Sequence, residues 1–281
     1  MAARTSTAPN AVAGGSRLSS VSFVLLNLLG VAAYIYPFLF SGVTRPGHDW
    51  FAHSADGPLI MAGVAALCLL LVVSELTEGS LNSKSLAVLG VLAALAAVMR
   101  TITLPAGASL YFFMVILGGY VFGVRMGFLL GALSFLLSAL VTAGFGPWLP
   151  FQVFAAGWMG LSAGAVGALL RGAPLRIELG AVLALGFLWG LLFGAITNLW
   201  AWPFFVSGPD ISYEPGLGLV ETLRRYWNFY LVTSFGWDLM RSVVNVVVLL
   251  AVGIPLLKAL KRFHARFSWE RHESTATSSR S

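Results

Sequence analysis

Asp238, Arg241 and Asn245 stand three and four residues apart in an otherwise apolar stretch, so on a helix they share one face. That face carries a carboxylate, a guanidinium and an amide, the groups that orient a polar ligand. A charge near hydrocarbon is costly unless paired or wetted, which makes these residues functional candidates. The alternative is an internal Asp238–Arg241 pair that only steadies the helices around it. The most distinctive segment is Gly144-Phe145-Gly146-Pro147-Trp148-Leu149-Pro150-Phe151-Gln152. Two glycines and two prolines fix a tight turn, which leaves Trp148 and Gln152 at a helix start. Gln152 there either caps the helix or joins the Trp148 ring in presenting an amide and an aromatic face to a small molecule. Asn198 and Trp202, with Trp200 between them, end another apolar run, as interface anchors or as site residues. Arg100 ends a third run and either snorkels to water or faces a cavity.

Bond-breaking chemistry finds no comparable arrangement. Gly160-Leu161-Ser162-Ala163-Gly164 matches G-x-S-x-G, but that motif needs a strand-to-helix turn with a histidine and an acid nearby. Here it lies inside an apolar run, where two glycines at four-residue spacing serve helix packing. His48, His53, His264 and His272 all fall outside the apolar runs, so no buried histidine metal site is expected, and no metal or cofactor is assigned. None of Lys84, Lys258 and Lys261 follows a glycine, so the phosphate-loop pattern for ATP is absent. Cys68 is the single cysteine and cannot form an intramolecular disulfide.

The elements that position these residues follow from composition. Of 281 residues, 58% are hydrophobic and only 10% charged, against roughly a quarter charged in soluble domains. The natural solvent of such a chain is a bilayer. Eight apolar runs have about the length that a membrane-spanning helix needs. They are Leu18–Phe40, Pro58–Val73, Leu86–Met99, Ser109–Phe122, Met126–Ala143, Pro150–Leu170, Leu179–Trp200 and Phe235–Leu257. The third and fourth are short. Runs without apolar–polar alternation exclude a barrel and leave helices. With both termini cytoplasmic, twelve of the seventeen Lys and Arg residues lie inside and Arg45, Arg100, Arg224, Arg225 and Arg241 outside, as the positive-inside rule favours. The net charge of +6 then serves attachment to an anionic inner leaflet, with no nucleic-acid partner needed. No cleavage pattern precedes Leu18, so the first span reads as a retained anchor. Residues Pro203 to Ser234 form a long outer connection whose aromatics argue for a folded cap.

Glycines recur at four-residue spacing in three series, Gly119-Gly123-Gly127-Gly131, Gly160-Gly164 and Gly186-Gly190-Gly194, and read as strips for close helix packing. The first series crosses a turn at Arg125 and cannot be one continuous helix face. The third span, with Ala87, Gly90, Ala93, Ala94, Ala96 and Ala97, is nearly bare on one side. It needs close contact with a helix of this chain or of another protein.

The stretch from Leu86 through Leu170 resembles the substrate-binding membrane subunit, the S component, of energy-coupling factor (ECF) vitamin transporters. The Ala87 to Arg100 helix, the Gly118-Gly119-Tyr120 to Gly131 passage and the Gly146-Pro147-Trp148-Leu149-Pro150-Phe151-Gln152 to Gly164 run carry the likeness. It implies an all-α polytopic membrane bundle with a six-helix substrate-binding core (81–265); the two-span extension (18–80) departs from the family pattern, and composition adds a polar tail (1–17) and a disordered cytoplasmic tail (266–281). It also implies a non-enzymatic subunit of a bacterial plasma membrane that captures a vitamin from outside and docks on a membrane coupling subunit with two ATPases. The family's A-x-x-x-A docking pattern maps to Ala93 and Ala97, extended by Gly90 and Ala94. Gating loops are implied at Arg100 to Ala108, Gly144 to Pro150 and Pro203 to Ser234. The expected site comprises Arg100, Trp148, Gln152, Asn198, Trp202, Asp238, Arg241 and Asn245. The large aromatic outer connection makes a corrinoid the expected substrate, and the absence of a leading Met-His speaks against nickel or cobalt ions. A membrane enzyme acting on lipid or isoprenoid, and a scaffold without a cavity, are the competing classes.

Overall fold

A computed structural model describes residues 15–39, 56–77, 81, 83–102, 104, 109–205 and 208–278, so the polar stretch before residue 15 and most of the Arg100 to Ala108 loop lie outside the described residues. Nine α-helices and one short 3-10 turn account for the ordered elements among them. They are α1 (Gly15–Leu39), α2 (Gly57–Thr77), α3 (Ser83–Thr101), α4 (Tyr111–Phe122), α5 (Val124–Thr142), α6 (Leu149–Leu169), α7 (Leu175–Asn198), the 3-10 turn Trp202–Phe204, α8 (Leu219–Thr233) and α9 (Phe235–Ser278). Seven of the helices are long and apolar enough to cross a membrane, which makes the chain an all-α polytopic bundle.

The eighth apolar run behaves differently. Helix α4 has only 12 residues, about 18 Å at 1.5 Å per residue, which is short of the roughly 30 Å of hydrocarbon. Every residue from Tyr111 to Tyr120 is buried. Its apolarity reflects a place at the centre of the bundle, where α3, α5, α6, α7 and α9 pack around it, and not exposure to lipid.

Two backbone-to-backbone seams hold that core. At the first, the carbonyl of Gly160 on α6 is met by both Gly119 and Gly127, where any Cβ would overlap it. Gly123, at φ +94°, makes the break between α4 and α5, so the series that crosses the turn still converges on one point of α6. At the second seam Gly186, Gly190 and Gly194 of α7 lie against Leu249, Ser242 and Asp238 of α9. Side chains fix the depth of this contact: Asn245 donates to the Gly186 carbonyl at 3.0 Å and Ser242 to that of Phe187 at 2.8 Å.

Helices α1 and α2 pack on each other and on α6. Near one membrane face Arg125 of α5 ion-pairs with buried Glu75 of α2 and donates to Ser19 and Ser20 of α1 at 2.6 and 2.8 Å. Farther along, Trp158 Nε1 donates to Asn27 Oδ1 at 2.9 Å and the Tyr34 hydroxyl to the Phe151 carbonyl at 2.8 Å. The pair is thus joined to α5 and α6 along much of its length. The predicted cap between Pro203 and Ser234 contains the 3-10 turn and the amphipathic α8.

Helix α9 continues past the last apolar run to Ser278. Lys258, Lys261 and Arg262 are good helix formers that carry it beyond the run.

Candidate functional site

Because α4 begins short of one end of the bundle, the surrounding helices enclose a space above its first turn. This cavity of about 420 Å³ is lined by Arg100 and Thr101 from α3, Ser109, Tyr111 and Phe112 at the α4 start, Phe135 and Thr142 from α5, Gln152 from α6, Phe193 from α7 and Arg241 from α9. Aromatic rings form its wall: Tyr111 meets Phe135 edge-on at 5.1 Å, Phe135 stacks on Phe193 at 5.8 Å, and Phe112 meets Phe193 edge-on at 5.1 Å. The Tyr111 ring is anchored by its hydroxyl, which donates to the Gly131 carbonyl at 2.9 Å and accepts from Ser134 at 3.1 Å.

An arginine sits at each end of this aromatic wall. The Arg100 guanidinium lies 4.1 Å from the Phe135 ring centre and donates to Ser138 Oγ at 2.5 Å. Arg241 lies 5.4 and 5.7 Å from the Phe112 and Phe193 ring centres. It donates to Asp238 Oδ1 at 2.6 Å and to the Gly190 carbonyl at 3.3 Å. Asp238 is buried, and its second oxygen has no hydrogen-bond partner among the described residues. Such cation–aromatic contacts each contribute about 0.5–2 kcal/mol and keep both guanidinium groups turned toward the cavity.

Three of the eight expected site residues, Arg100, Gln152 and Arg241, therefore line one space, and Asp238 backs it through Arg241. Gln152 makes no helix cap; Trp148 occupies the N-cap position of α6 without a side-chain bond. The Trp148 ring is partly exposed and lies 6.4 Å from that of Trp200. Asn198 donates to Ser234 Oγ at 2.6 Å and so ties the end of α7 to the start of α9. Asn245 is deeper, in the α7–α9 seam. Trp202 lies outside the cavity: its ring is buried among Phe38, Tyr213, Tyr226 and Phe229, and its Nε1 donates to the Ile211 carbonyl at 2.8 Å. It is the centre of the cap's own core. Thr101, Ser109, Tyr111, Phe112, Phe135, Thr142 and Phe193 were not anticipated, since an aromatic or hydroxyl residue in or beside an apolar run looks the same in sequence whether it meets lipid, another helix or a cavity.

The cap is closed on its polar side by charges. Glu221 accepts from Arg224 at 2.8 and 2.7 Å and from Arg225 at 3.0 Å, and Arg225 also reaches Glu214 at 3.1 Å. These hydrogen bonds pull the Glu221 carboxyl down to about 2. At the opposite end of the bundle, Glu178 ion-pairs with Lys261.

The small-residue face of α3 is divided by the fold. Ala93 and Ala97 are 1% and 2% exposed and face the interior, on a helix that packs chiefly on α5. Ala87, Gly90 and Ala94 face outward, and nothing lies within 4 Å of a Cβ placed at Gly90. Beside them an apolar groove of about 710 Å³ runs between α3 and α9, with Lys84, Val91, Leu260 and Phe263 on its walls.

Among known protein families, the model described as ECF transporter, substrate-specific component, aligns with residues 84–253. No curated protein and no solved structure matches. The aligned region starts at α3 and excludes α1 and α2.

Proposed function

Since the chain belongs to the substrate-specific components of ECF transporters, we propose that the cavity above α4 captures an organic micronutrient from outside the cell for delivery inward. Members of this family are binding subunits and not enzymes. ATP hydrolysis lies in partner modules, and the chain associates with an ECF module of a transmembrane component and ATPases. The observation that carries the reading is the convergence of Arg100, Gln152 and Arg241, from three helices, on a cavity walled by Tyr111, Phe112, Phe135 and Phe193. Aromatic walls with a few fixed polar groups are the usual composition of a small-molecule site.

The cavity end carries Arg100 and Arg241, which the positive-inside pattern assigns to the outside, with both termini in the cytoplasm. Its 420 Å³ stands near the lower end of the roughly 300–1,000 Å³ of drug-sized ligand sites. That volume supports a compact ligand over the corrinoid expected from the aromatic outer connection. Gly90 and Ala94, with Ala87, offer the uncovered strip for docking on the coupling subunit, and Ala93 and Ala97 support it from beneath. The N-terminal pair packs on α6 and leaves this strip clear.

Mass spectrometry and an absorption spectrum of the detergent-purified protein test the reading. A stoichiometric vitamin retained by the wild type, and at lower occupancy by Gln152→Ala, is expected. A red corrinoid spectrum would reinstate the larger ligand, and a protein that retains and binds none would remove the capture role.

A further inference from the structure

The charges around the cavity do not balance. Arg241 has Asp238 as its counter-ion, whereas no carboxylate among the described residues pairs with Arg100, whose partners are Ser138 and the Phe135 ring. Among the described residues, acids elsewhere in the outer part of the molecule are committed: Asp210, Glu214 and Glu221 to Arg224 and Arg225, and Asp56 to the Tyr36 hydroxyl. The segment joining α3 to α4, Ile102 to Ala108, contains no acidic residue. The first turn of α4 adds to the same sign: Ser109 Oγ accepts from the Tyr111 amide at 3.2 Å, no acidic side chain lies in that turn, and Tyr111 and Phe112 line the cavity. Helix N-termini carry partial positive charge and unpaired amides that favour anions. A guanidinium held in a partly desolvated aromatic cavity without a counter-ion is costly, and an incoming anion removes that cost.

We propose that the ligand is a small organic anion, whose carboxylate or phosphate is taken by Arg100 at the α4 N-terminus while its apolar body lies along Phe112, Phe135 and Phe193. This rests on the capture role proposed above and names the substrate class of that cavity. Asp238 has a selective function here. It cancels Arg241, so the cavity keeps a single excess positive charge and accepts one anionic group in preference to a polyanion.

The test uses the full-length protein in detergent and ligand pairs that differ at the acid: nicotinate with nicotinamide, biotin with biotinamide, pantothenate with panthenol. Thiamine is included as a cation and cobalamin as a bulky ligand. Binding is read by calorimetry and thermal unfolding in wild type, Arg100→Gln and Arg100→Lys. The expected result is that at least one acid binds tenfold or more tighter than its neutral partner. Arg100→Gln should abolish the preference and Arg100→Lys, which keeps the charge and controls for misfolding, should retain part of it. Tight binding of a neutral partner, thiamine or cobalamin alone would overturn the anion proposal and leave the capture role standing. An acid preference unchanged in Arg100→Gln would overturn the assignment of Arg100. A protein that binds no ligand of the set and retains none on purification would overturn the capture role and the anion proposal together.

Discussion

Gly194 on α7 lies directly against the carboxylate of Asp238 on α9, so closely that any Cβ at position 194 would overlap both carboxylate oxygens. The last glycine of the Gly186-Gly190-Gly194 strip thus makes the space that lets Asp238 reach Arg241. Gly194→Ala is expected to displace the carboxylate, leave Arg241 as a second uncompensated positive charge and reduce the preference for a monoanion over a polyanion, with a lower unfolding temperature in detergent. Gly180→Ala on the same helix is the control, since nothing lies within 4 Å of a Cβ there. Alanine exceeds glycine in helix propensity by about 1 kcal/mol, so that variant should unfold no earlier than wild type.

Gln152 contributes its amide to the cavity and no cap to α6. Gln152→Ala should therefore reduce affinity about tenfold, near 1.4 kcal/mol, with the melting temperature unchanged. A calorimetric titration with whichever ligand co-purifies measures this, and equal affinity would remove Gln152 from the site.

Trp202→Ala separates cap from cavity. The ring is buried among four aromatic neighbours, and truncating a buried tryptophan costs about 3–5 kcal/mol. The expected outcome is a large loss of thermal stability and faster proteolysis between residues 205 and 219. A fully stable variant with selectively weakened binding would instead return Trp202 to the ligand.

On α3 the burial pattern predicts two classes of substitution. Gly90→Leu and Ala94→Leu place bulk on the outward strip and should lower ATP-driven uptake in cells while binding by the isolated protein is retained. Ala97→Leu overfills an interior position, at a cost of roughly 1–3 kcal/mol, and should lower stability first. Normal uptake with both outward variants would show that this strip is not the docking surface.

At the other end of the bundle, Glu75→Gln leaves Arg125 without its carboxylate. Loss of a buried hydrogen-bonding partner costs about 1–3 kcal/mol, and the partial exposure of Arg125 places the expected effect at the low end. The readout is earlier thermal unfolding with ligand affinity intact, because α1 and α2 contribute no cavity residue.

What the amino-acid sequence determined by itself was the solvent, the helical class, the number of apolar runs and the role of the glycine series. These depend on sums over neighbouring residues: mean hydropathy, run length and four-residue spacing keep their meaning wherever the helix packs. The Asp238–Arg241 relationship was legible for the same reason, being three residues apart on one helix. Tertiary structure alone decided the rest. A run of apolar residues reads the same in lipid and in protein, so only packing showed α4 to be a buried, truncated helix with a cavity above it. Arg100, Gln152 and Arg241 come from three helices far apart in the chain, and their convergence follows from how α3, α6 and α9 pack around α4. Helix rotation divided the alanines of α3 into a buried set, Ala93, Ala96 and Ala97, and an exposed strip. Trp202 turned inward to the cap because its indole N–H found the Ile211 carbonyl there, a partner that no local pattern specifies.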